Sequence, residues 1–179
     1  NILIIDDEVE ITKALVRQFK RRYNVFSTNS ALEAISILEK EDINVIISDQ
    51  RMPGMTGIEF FSSIKSRYPD IIKLILTGFT DINNVIDAIN KGQVFRYITK
   101  PWNPEELDWT INEAFEKYEL QVKNKELLIE LSKTNVYLEE KVKERTEKLS
   151  ELNEALTKSI NELKTKSNII EAIDRKSTR

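Results

Sequence analysis

The 179-residue sequence contains neither cysteine nor histidine. The chain therefore cannot carry out Ser-His-Asp or Cys-His catalysis, form a disulfide, build a zinc site of the usual ligands or donate phosphate from a histidine. It also has no apolar run near the roughly 18 residues that a membrane span needs, and no signal segment opens it. These absences predict a soluble cytoplasmic protein that contacts no membrane.

Glycine and proline are confined to the first part of the chain. All four glycines and all four prolines lie at or before position 104, and Tyr137 is the only aromatic residue after position 120. The first 120 residues hold 14 basic and 19 acidic side chains, and the remainder holds 13 and 11. The first part is long enough to bury one core, whereas the second is too polar to build its own.

Short apolar runs alternate with amphipathic stretches in the first part. Five strands are predicted from the apolar runs at 2–5, 25–26, 43–47, 71–76 and 95–98. The helical spacing of apolar residues predicts five helices, and the fifth opens after Pro101. Ser30 with Glu33 has the spacing of a capping box, Gly92 is placed to end the fourth helix, and Asn103-Pro104 is placed to start the fifth. Strands this rich in Ile, Leu and Val are buried on both faces. The predicted fold is a doubly wound, five-stranded parallel α/β sheet of the flavodoxin-like class, with strand order 2-1-3-4-5.

Reactive side chains follow the predicted strands. Asp6 and Asp7 come after the first strand, Asp49 after the third, Thr77 after the fourth and Lys100 after the fifth. In such folds these ends share one edge, where ligands bind. Three converging carboxylates repel one another unless a cation binds among them, and Mg²⁺ prefers oxygen ligands. With no histidine or cysteine available, Asp49 is the best nucleophile, Lys100 a fixed positive charge and Thr77 a hydroxyl donor for phosphoryl transfer.

Four segments carry a resemblance to a known family. They are 2–8 (ILIIDDE), 46–57 (IISDQRMPGMTG), 76–78 (LTG) and 97–101 (YITKP). In this order they resemble the receiver domain of two-component response regulators over positions 1 to about 118. The resemblance implies a phosphoprotein of a signal-transduction phosphorelay, in which Asp49 accepts phosphate from a histidine kinase or phosphotransfer protein.

The resemblance also implies roles for individual residues. Asp7 and Asp49 would bind Mg²⁺ directly, together with the backbone carbonyl of Arg51, and Asp6 would act mainly through water. Thr77 and Lys100 would contact the phosphoryl group. The Lys100-Pro101 peptide would be cis, and Tyr97 would turn inward when Thr77 moves toward the phosphate.

The second part shows a heptad pattern. Counting in sevens from Leu128 gives six apolar residues in seven positions, with Asn135 as the exception. The second apolar position of the heptad, counted in sevens from Leu131, is polar at Arg145, Ser159 and Lys166. This predicts a coiled-coil homodimer in which Asn135 sets the register. Segment 138–149 resembles the signalling helices that join receiver modules to output enzymes. We expect it to continue the fifth helix, the alternative being two helices with a bend at 121–125.

The predicted organisation is a receiver at 1–118, a coiled-coil signalling helix at 119–175 and, at 176–179, the start of a link to an output domain outside this chain. The predicted function is a phosphorylation switch and not an enzyme. One alternative is an adaptor whose coiled coil is itself the output. Another is an Mg²⁺-dependent phosphatase, although adjacent Asp6 and Asp7 do not match the usual two-residue spacing of its acids. Interleaved acidic and basic side chains argue against nucleic-acid binding.

Overall fold

The computed structural model describes residues 1–78, 86–89 and 93–177, with side chains described up to residue 167. The strands are β1 (Ile2–Ile5), β2 (Val25–Thr28), β3 (Val45–Asp49), β4 (Ile72–Thr77) and β5 (Arg96–Thr99). The helices are α1 (Val9–Phe19), α2 (Ala31–Leu38), α3 (Gly57–Ile64) and a long helix of 74 residues, Pro104–Ser177. Residues 86–89 are also helical.

The five strands form one parallel sheet in the order β2-β1-β3-β4-β5, as predicted. Successive strand residues point to opposite faces, so Leu3 and Ile5 join a core with Phe60 of α3, whereas Ile2 and Ile4 join a second core. The second core includes Leu15 and Phe19 of α1 and Leu107 and Ile111 of the long helix. Burial on both faces explains why β1, β3 and β4 are almost continuously apolar, and the predicted strand bounds differ from the observed ones by at most two residues.

The helix starts differ in part from the predictions. Asn103 Oδ1 accepts a hydrogen bond of 2.8 Å from Glu105 N at the start of the long helix, as predicted. The predicted capping box at α2 is wrong. Ser30 Oγ accepts from Leu32 N, while the Glu33 carboxylate accepts instead from the Thr28 hydroxyl at 2.6 Å. The predicted fourth helix falls mostly on residues that the structure does not describe, and its predicted terminator Gly92 lies among them.

The chain divides into two units, Asn1–Lys125 and Glu126–Arg179. Within the second unit, every side chain described from residue 126 to 167 is exposed. The predicted boundary between residues 118 and 119 remains a prediction. Among the described residues, no helix is both long and apolar enough to cross a membrane.

Candidate functional site

The predicted site residues lie at the carboxyl edge of the sheet. Asp49 and Thr77 end β3 and β4, and Asp6 and Lys100 directly follow β1 and β5. Asp49 pairs with Leu76 in the strand register, one residue before Thr77. A cavity of about 350 Å³ opens at this edge, and its lining includes Asp7, Glu8, Asp49, Gln50, Arg51, Thr77, Gly78 and Lys100.

Lys100 joins the carboxylates of β1 and β3. Its ammonium nitrogen lies 2.8 Å from Asp6 Oδ2 and 2.6 Å from Asp49 Oδ1, and 3.7 Å from Glu8 Oε1. Asp6 is fully buried and Asp49 is 6% exposed. Two buried carboxylates therefore share one cation, which offsets the repulsion that their proximity would otherwise cause.

Burial and hydrogen bonding act in opposite directions on these groups. Burial raises the pKa of Asp6, and the hydrogen bonds from Lys100 and from Glu8 N only partly counteract it. For Lys100, burial alone lowers the pKa, but the hydrogen bonds to Asp49 and Asp6 outweigh burial and the net pKa is raised. The ammonium form of Lys100 is thus stabilised by the two carboxylates that it links.

Asp49 is held in place by backbone contacts on several sides. Its Oδ2 accepts a hydrogen bond of 2.6 Å from Arg51 N, and its carbonyl oxygen accepts one of 2.9 Å from the Ser48 hydroxyl. The next residue, Gln50, donates its N–H to the Leu76 carbonyl at 2.9 Å. The position of the carboxylate is therefore fixed by main-chain geometry.

Gly57 brings the start of α3 against Asp49. A Cβ atom at this position would collide with the main-chain oxygen of Asp49 and lie 2.7 Å from Ile75 Cδ1. Gly57 N also donates to the Gln50 carbonyl at 3.1 Å. The absence of a side chain at position 57 is therefore what lets the helix start approach the end of β3.

The remaining predicted residues lie at or near this edge. Thr77 is 1% exposed, and its hydroxyl donates to the Gly78 carbonyl at 3.1 Å. Tyr97 is partly buried and packs against the core that contains Phe60, and it does not line the cavity. The Lys100-Pro101 peptide bond is cis.

The donor set fits Mg²⁺ in chemical type. The cavity is lined by oxygen donors, including Asp7 and Asp49, next to Arg51, whose carbonyl oxygen the resemblance adds as a third ligand. Within the described ranges, no three acidic side chains are grouped so that they could hold a metal ion. In this structure the charge of Asp6 and Asp49 is balanced by Lys100 instead. A shell with two direct carboxylates and one carbonyl remains compatible with these residues.

Three contributors to the site were not predicted from the sequence. Ser48 and Gly57 act on Asp49 through its main chain, and Gln50 is 7% exposed with an amide oxygen that lacks a hydrogen-bond donor. Of these three residues, only Gly57 could have been identified from the sequence, since a glycine at the first position of a helix indicates a close approach of two backbone segments.

Comparisons with known proteins agree with this geometry. Residues 2–112 match the family model of the response regulator receiver domain. The chain is 38% identical over 120 residues to the hydrogenase transcriptional regulatory protein HoxA of Cupriavidus necator, covering 67% of this chain and 25% of the relative. It is 33% identical to the C4-dicarboxylate transport transcriptional regulatory protein DctD of Rhizobium meliloti, covering 71% and 28%. The chain thus spans about a quarter of the length of these relatives.

A solved structure agrees with the fold as well. The response regulator receiver domain protein from Clostridium thermocellum aligns with a TM-score of 0.63 and 32% identity, covering 67% of this chain and 97% of that one. The similarity extends over nearly all of the other domain. It therefore supports the assignment of the sheet and its helices to one domain type.

Proposed function

Because the chain belongs to the response regulator receiver domain family, we propose that Asp49 accepts a phosphoryl group from the phosphohistidine of a histidine kinase or phosphotransfer protein. The observation that carries the proposal is the Lys100 ammonium between Asp49, at 2.6 Å, and buried Asp6, at 2.8 Å. A fixed cation beside a carboxylate at a strand edge suits phosphoryl transfer. The proposed location is the cytoplasm.

The transfer forms one bond and breaks one. A carboxylate oxygen of Asp49 attacks phosphorus, the bond from phosphorus to the donor's histidine nitrogen breaks, and the imidazole leaves with that electron pair. Lys100 neutralises charge on the phosphoryl oxygens, and the Thr77 hydroxyl donates a hydrogen bond to one of them. Asp7, Asp49 and the Arg51 carbonyl would hold Mg²⁺, which would supply further charge neutralisation when bound.

The output is proposed to run through the switch residues and the long helix. Thr77 moves toward the new phosphoryl group, Tyr97 turns inward, and the phosphorylated receiver favours a different arrangement of a homodimeric coiled coil. The exposed apolar side chains of residues 126–167 support a dimer, because a lone helix would leave them in water. An output domain outside this chain, or the coiled coil itself, would deliver the signal.

The first experiment tests the acceptor. With Mg²⁺ and a small phosphoramidate donor, we expect intact-mass measurement to show one added phosphoryl group on the native chain and none on Asp49→Asn. Asp87→Asn is the matched control, since Asp87 is an exposed aspartate outside the site. Labelling of Asp49→Asn at the native rate would refute the assignment of the acceptor.

The second experiment separates the switch from an enzyme. A receiver takes up one phosphoryl group and releases it slowly, so we expect no sustained turnover of small phosphate esters with Mg²⁺. Turnover that depends on Asp49 would favour the aspartyl-phosphate phosphatase instead. If a beryllofluoride adduct formed at Asp49 without changing dimer association, the adaptor alternative would gain support over the switch.

A further inference from the structure

Another cavity opens at the amino edge of the sheet, opposite the edge that carries the proposed phosphoryl acceptor. It has a volume of about 330 Å³ and lies beside the starts of β4 and β5. Its lining includes the apolar side chains of Ile72, Val94 and Phe95 and the basic side chains of Lys73 and Lys117. Within the described part of the chain, no acidic residue lines it. The proposed phosphoryl transfer uses none of these groups.

Lys73 is a buried cation without an anionic partner. Its side chain is 7% exposed, and its nitrogen donates to the carbonyl oxygens of Ile71 at 3.1 Å and Tyr68 at 3.3 Å. Both distances exceed the commonest N–H···O distance of about 2.9–3.0 Å. No ion pair of the described residues includes Lys73, and the nearby carboxylate of Asp70 is paired with Lys125 at 2.8 Å. An ammonium has three N–H groups, so one donor remains for a further acceptor.

The burial of Lys73 is electrostatically unfavourable. Burial lowers the pKa of Lys73, the charge of Lys65 lowers it further, and the charge of Asp70 counteracts this only in part. A bound anion would replace part of the solvation that the ammonium loses on folding. Because Lys73 lines the cavity, such an anion would have room beside the ammonium.

Lys117 supplies a second positive charge at the same cavity. It lies four residues after Glu113 on the long helix, and therefore on the same helix face. Its ammonium nitrogen lies 5.8 Å from the ring centroid of Phe95, whereas Glu113 is paired with Arg96 at 2.9 Å. Lys117 is exposed and Lys73 is buried. Positive charge therefore extends from the solvent into the cavity.

We propose that this cavity binds a small carboxylate with an apolar body, in which Lys73 and Lys117 pair with the carboxylate group. The apolar body packs against Val94 and Phe95, which favours an aromatic or branched aliphatic acid over an inorganic anion. The volume of about 330 Å³ is near the lower end of the range for ligand sites, so the ligand is smaller than a nucleotide. The site is separate from that of phosphoryl transfer, since Lys73 lies four strand residues, about 13 Å, before Thr77.

Benzoate is a probe of suitable charge and size, and benzamide is its neutral counterpart. The full chain is titrated with each compound in buffer without Mg²⁺ or phosphate, and the NMR chemical shifts of the backbone amides are followed. We expect benzoate to cause saturable shifts at Lys73, Gln93 and Phe95, and benzamide to bind at least about tenfold more weakly. Saturable shifts confined to Thr77 and Lys100 would place the probe at the other edge of the sheet and overturn the proposal.

Variants of the two lysines test the source of the affinity. We expect the Kd for benzoate to rise at least about tenfold in Lys73→Met and Lys73→Gln and about threefold in Lys117→Gln. Lys20→Met, at an exposed lysine away from the cavity, is the matched control and should bind as the native chain does.

The same spectra show whether each variant is folded, through the amide shifts of residues far from the cavity. Lys117→Gln changes an exposed side chain, so it provides a readout even if neither Lys73 variant folds. Native affinity of the folded lysine variants, equal binding of benzamide, or no saturable shift of the native chain at tens of millimolar benzoate would each overturn the proposal.

Discussion

The ammonium nitrogen of Lys100 lies 2.6 Å from Oδ1 of Asp49, although the two residues are separated by 51 positions in the sequence. The same ammonium contacts Asp6, whose carboxylate is fully buried. One side chain on the end of β5 therefore balances charge from both β1 and β3. The Lys100 ammonium therefore contributes to the stability of this edge through both strands.

Replacing Lys100 by Met should destabilise the protein in a pH-dependent way. Burial raises the pKa of Asp6 and Lys100 partly counteracts this, so its removal raises the pKa of Asp6 further. Above about pH 4 the unfolded chain ionises this carboxyl freely, whereas the folded variant must keep it protonated or bury the charge. We expect the free energy of unfolding to fall by about 3 kcal/mol at pH 7, and by less at pH 4, in urea titrations.

Two further variants serve as controls for the Lys100→Met measurement. Asp6→Asn combined with Lys100→Met should recover part of the loss, because one of the two carboxylates that lost the Lys100 ammonium is removed. Lys13→Met, which removes an exposed lysine that pairs with Glu10 at 2.9 Å, should change stability by less than about 0.5 kcal/mol. Equal losses for Lys100→Met at pH 4 and pH 7 would contradict the assigned cause.

Gly57→Ala should damage both stability and phosphorylation. The added methyl group would collide with the main-chain oxygen of Asp49 and press on Ile75, so α3 or the end of β3 must shift. We expect the free energy of unfolding to fall by about 1–3 kcal/mol in thermal or urea unfolding. We also expect slower phosphoryl uptake from the phosphoramidate donor, measured by intact mass. Gly78→Ala is the control for stability, since a Cβ atom there has open space around it. Native stability of Gly57→Ala would mean that the close approach is not needed.

The sequence was sufficient to predict the sheet and the residues along its edge. Continuous Ile and Leu runs such as 2–5 can be satisfied only by burial on both faces, so strand type and strand ends followed from composition. Asp49, Thr77 and Lys100 could be placed together because parallel strands end on the same edge. These inferences needed only the backbone plan of the fold.

Side-chain pairing could not be predicted in the same way. Lys100 reaches both Asp6 and Asp49 only because the rotamers and strand lengths match, and neither is encoded in a spacing rule. The capping box predicted for α2 is wrong for a related reason, since the Glu33 carboxylate accepts a hydrogen bond from Thr28 on the neighbouring strand. Alternatives that lie close in free energy are decided by tertiary contacts.

Tyr23→Phe tests how the first turns of the long helix are attached to the segment between α1 and β2. The Tyr23 hydroxyl donates to Asn112 Oδ1 at 2.7 Å, and its ring stacks on Phe115 with centroids 4.6 Å apart. Removing the hydroxyl keeps the stack, so we expect a loss of only about 0.5–1 kcal/mol. Tyr23→Leu should cost more, because the aromatic stack is lost too.

A double-mutant cycle isolates the hydrogen bond between these two residues. Tyr23→Phe and Asn112→Ala are measured singly and together by urea unfolding, and the coupling free energy should be about 0.5–1 kcal/mol. Strictly additive losses for Tyr23 and Asn112 would show that the hydroxyl contact adds nothing to the attachment.

Lys73→Met should leave stability unchanged or increase it. Lys73 lies inside β4 at 7% exposure, and its ammonium donates to the carbonyls of Ile71 at 3.1 Å and Tyr68 at 3.3 Å. Burial lowers its pKa, with a smaller contribution from the charge of Lys65. The folded protein therefore binds this proton less tightly than the unfolded chain does. At pH 7 the buried ammonium lowers the free energy of unfolding, and the variant removes this destabilisation. We expect a gain of about 0–1 kcal/mol at pH 7.

The same linkage predicts what Lys73 contributes to the pH dependence of the native protein. Its free energy of unfolding should rise as pH increases from the lowered pKa of Lys73 toward 10.5, the ordinary value, because the unfolded chain still binds the proton there. Lys73→Met should lack this rise in urea titrations that extend up to pH 10.5, whereas Lys20→Met, at an exposed lysine, should retain it. A variant that is less stable at every pH and keeps the native slope would show instead that the two carbonyl contacts more than compensate for burial of the charge.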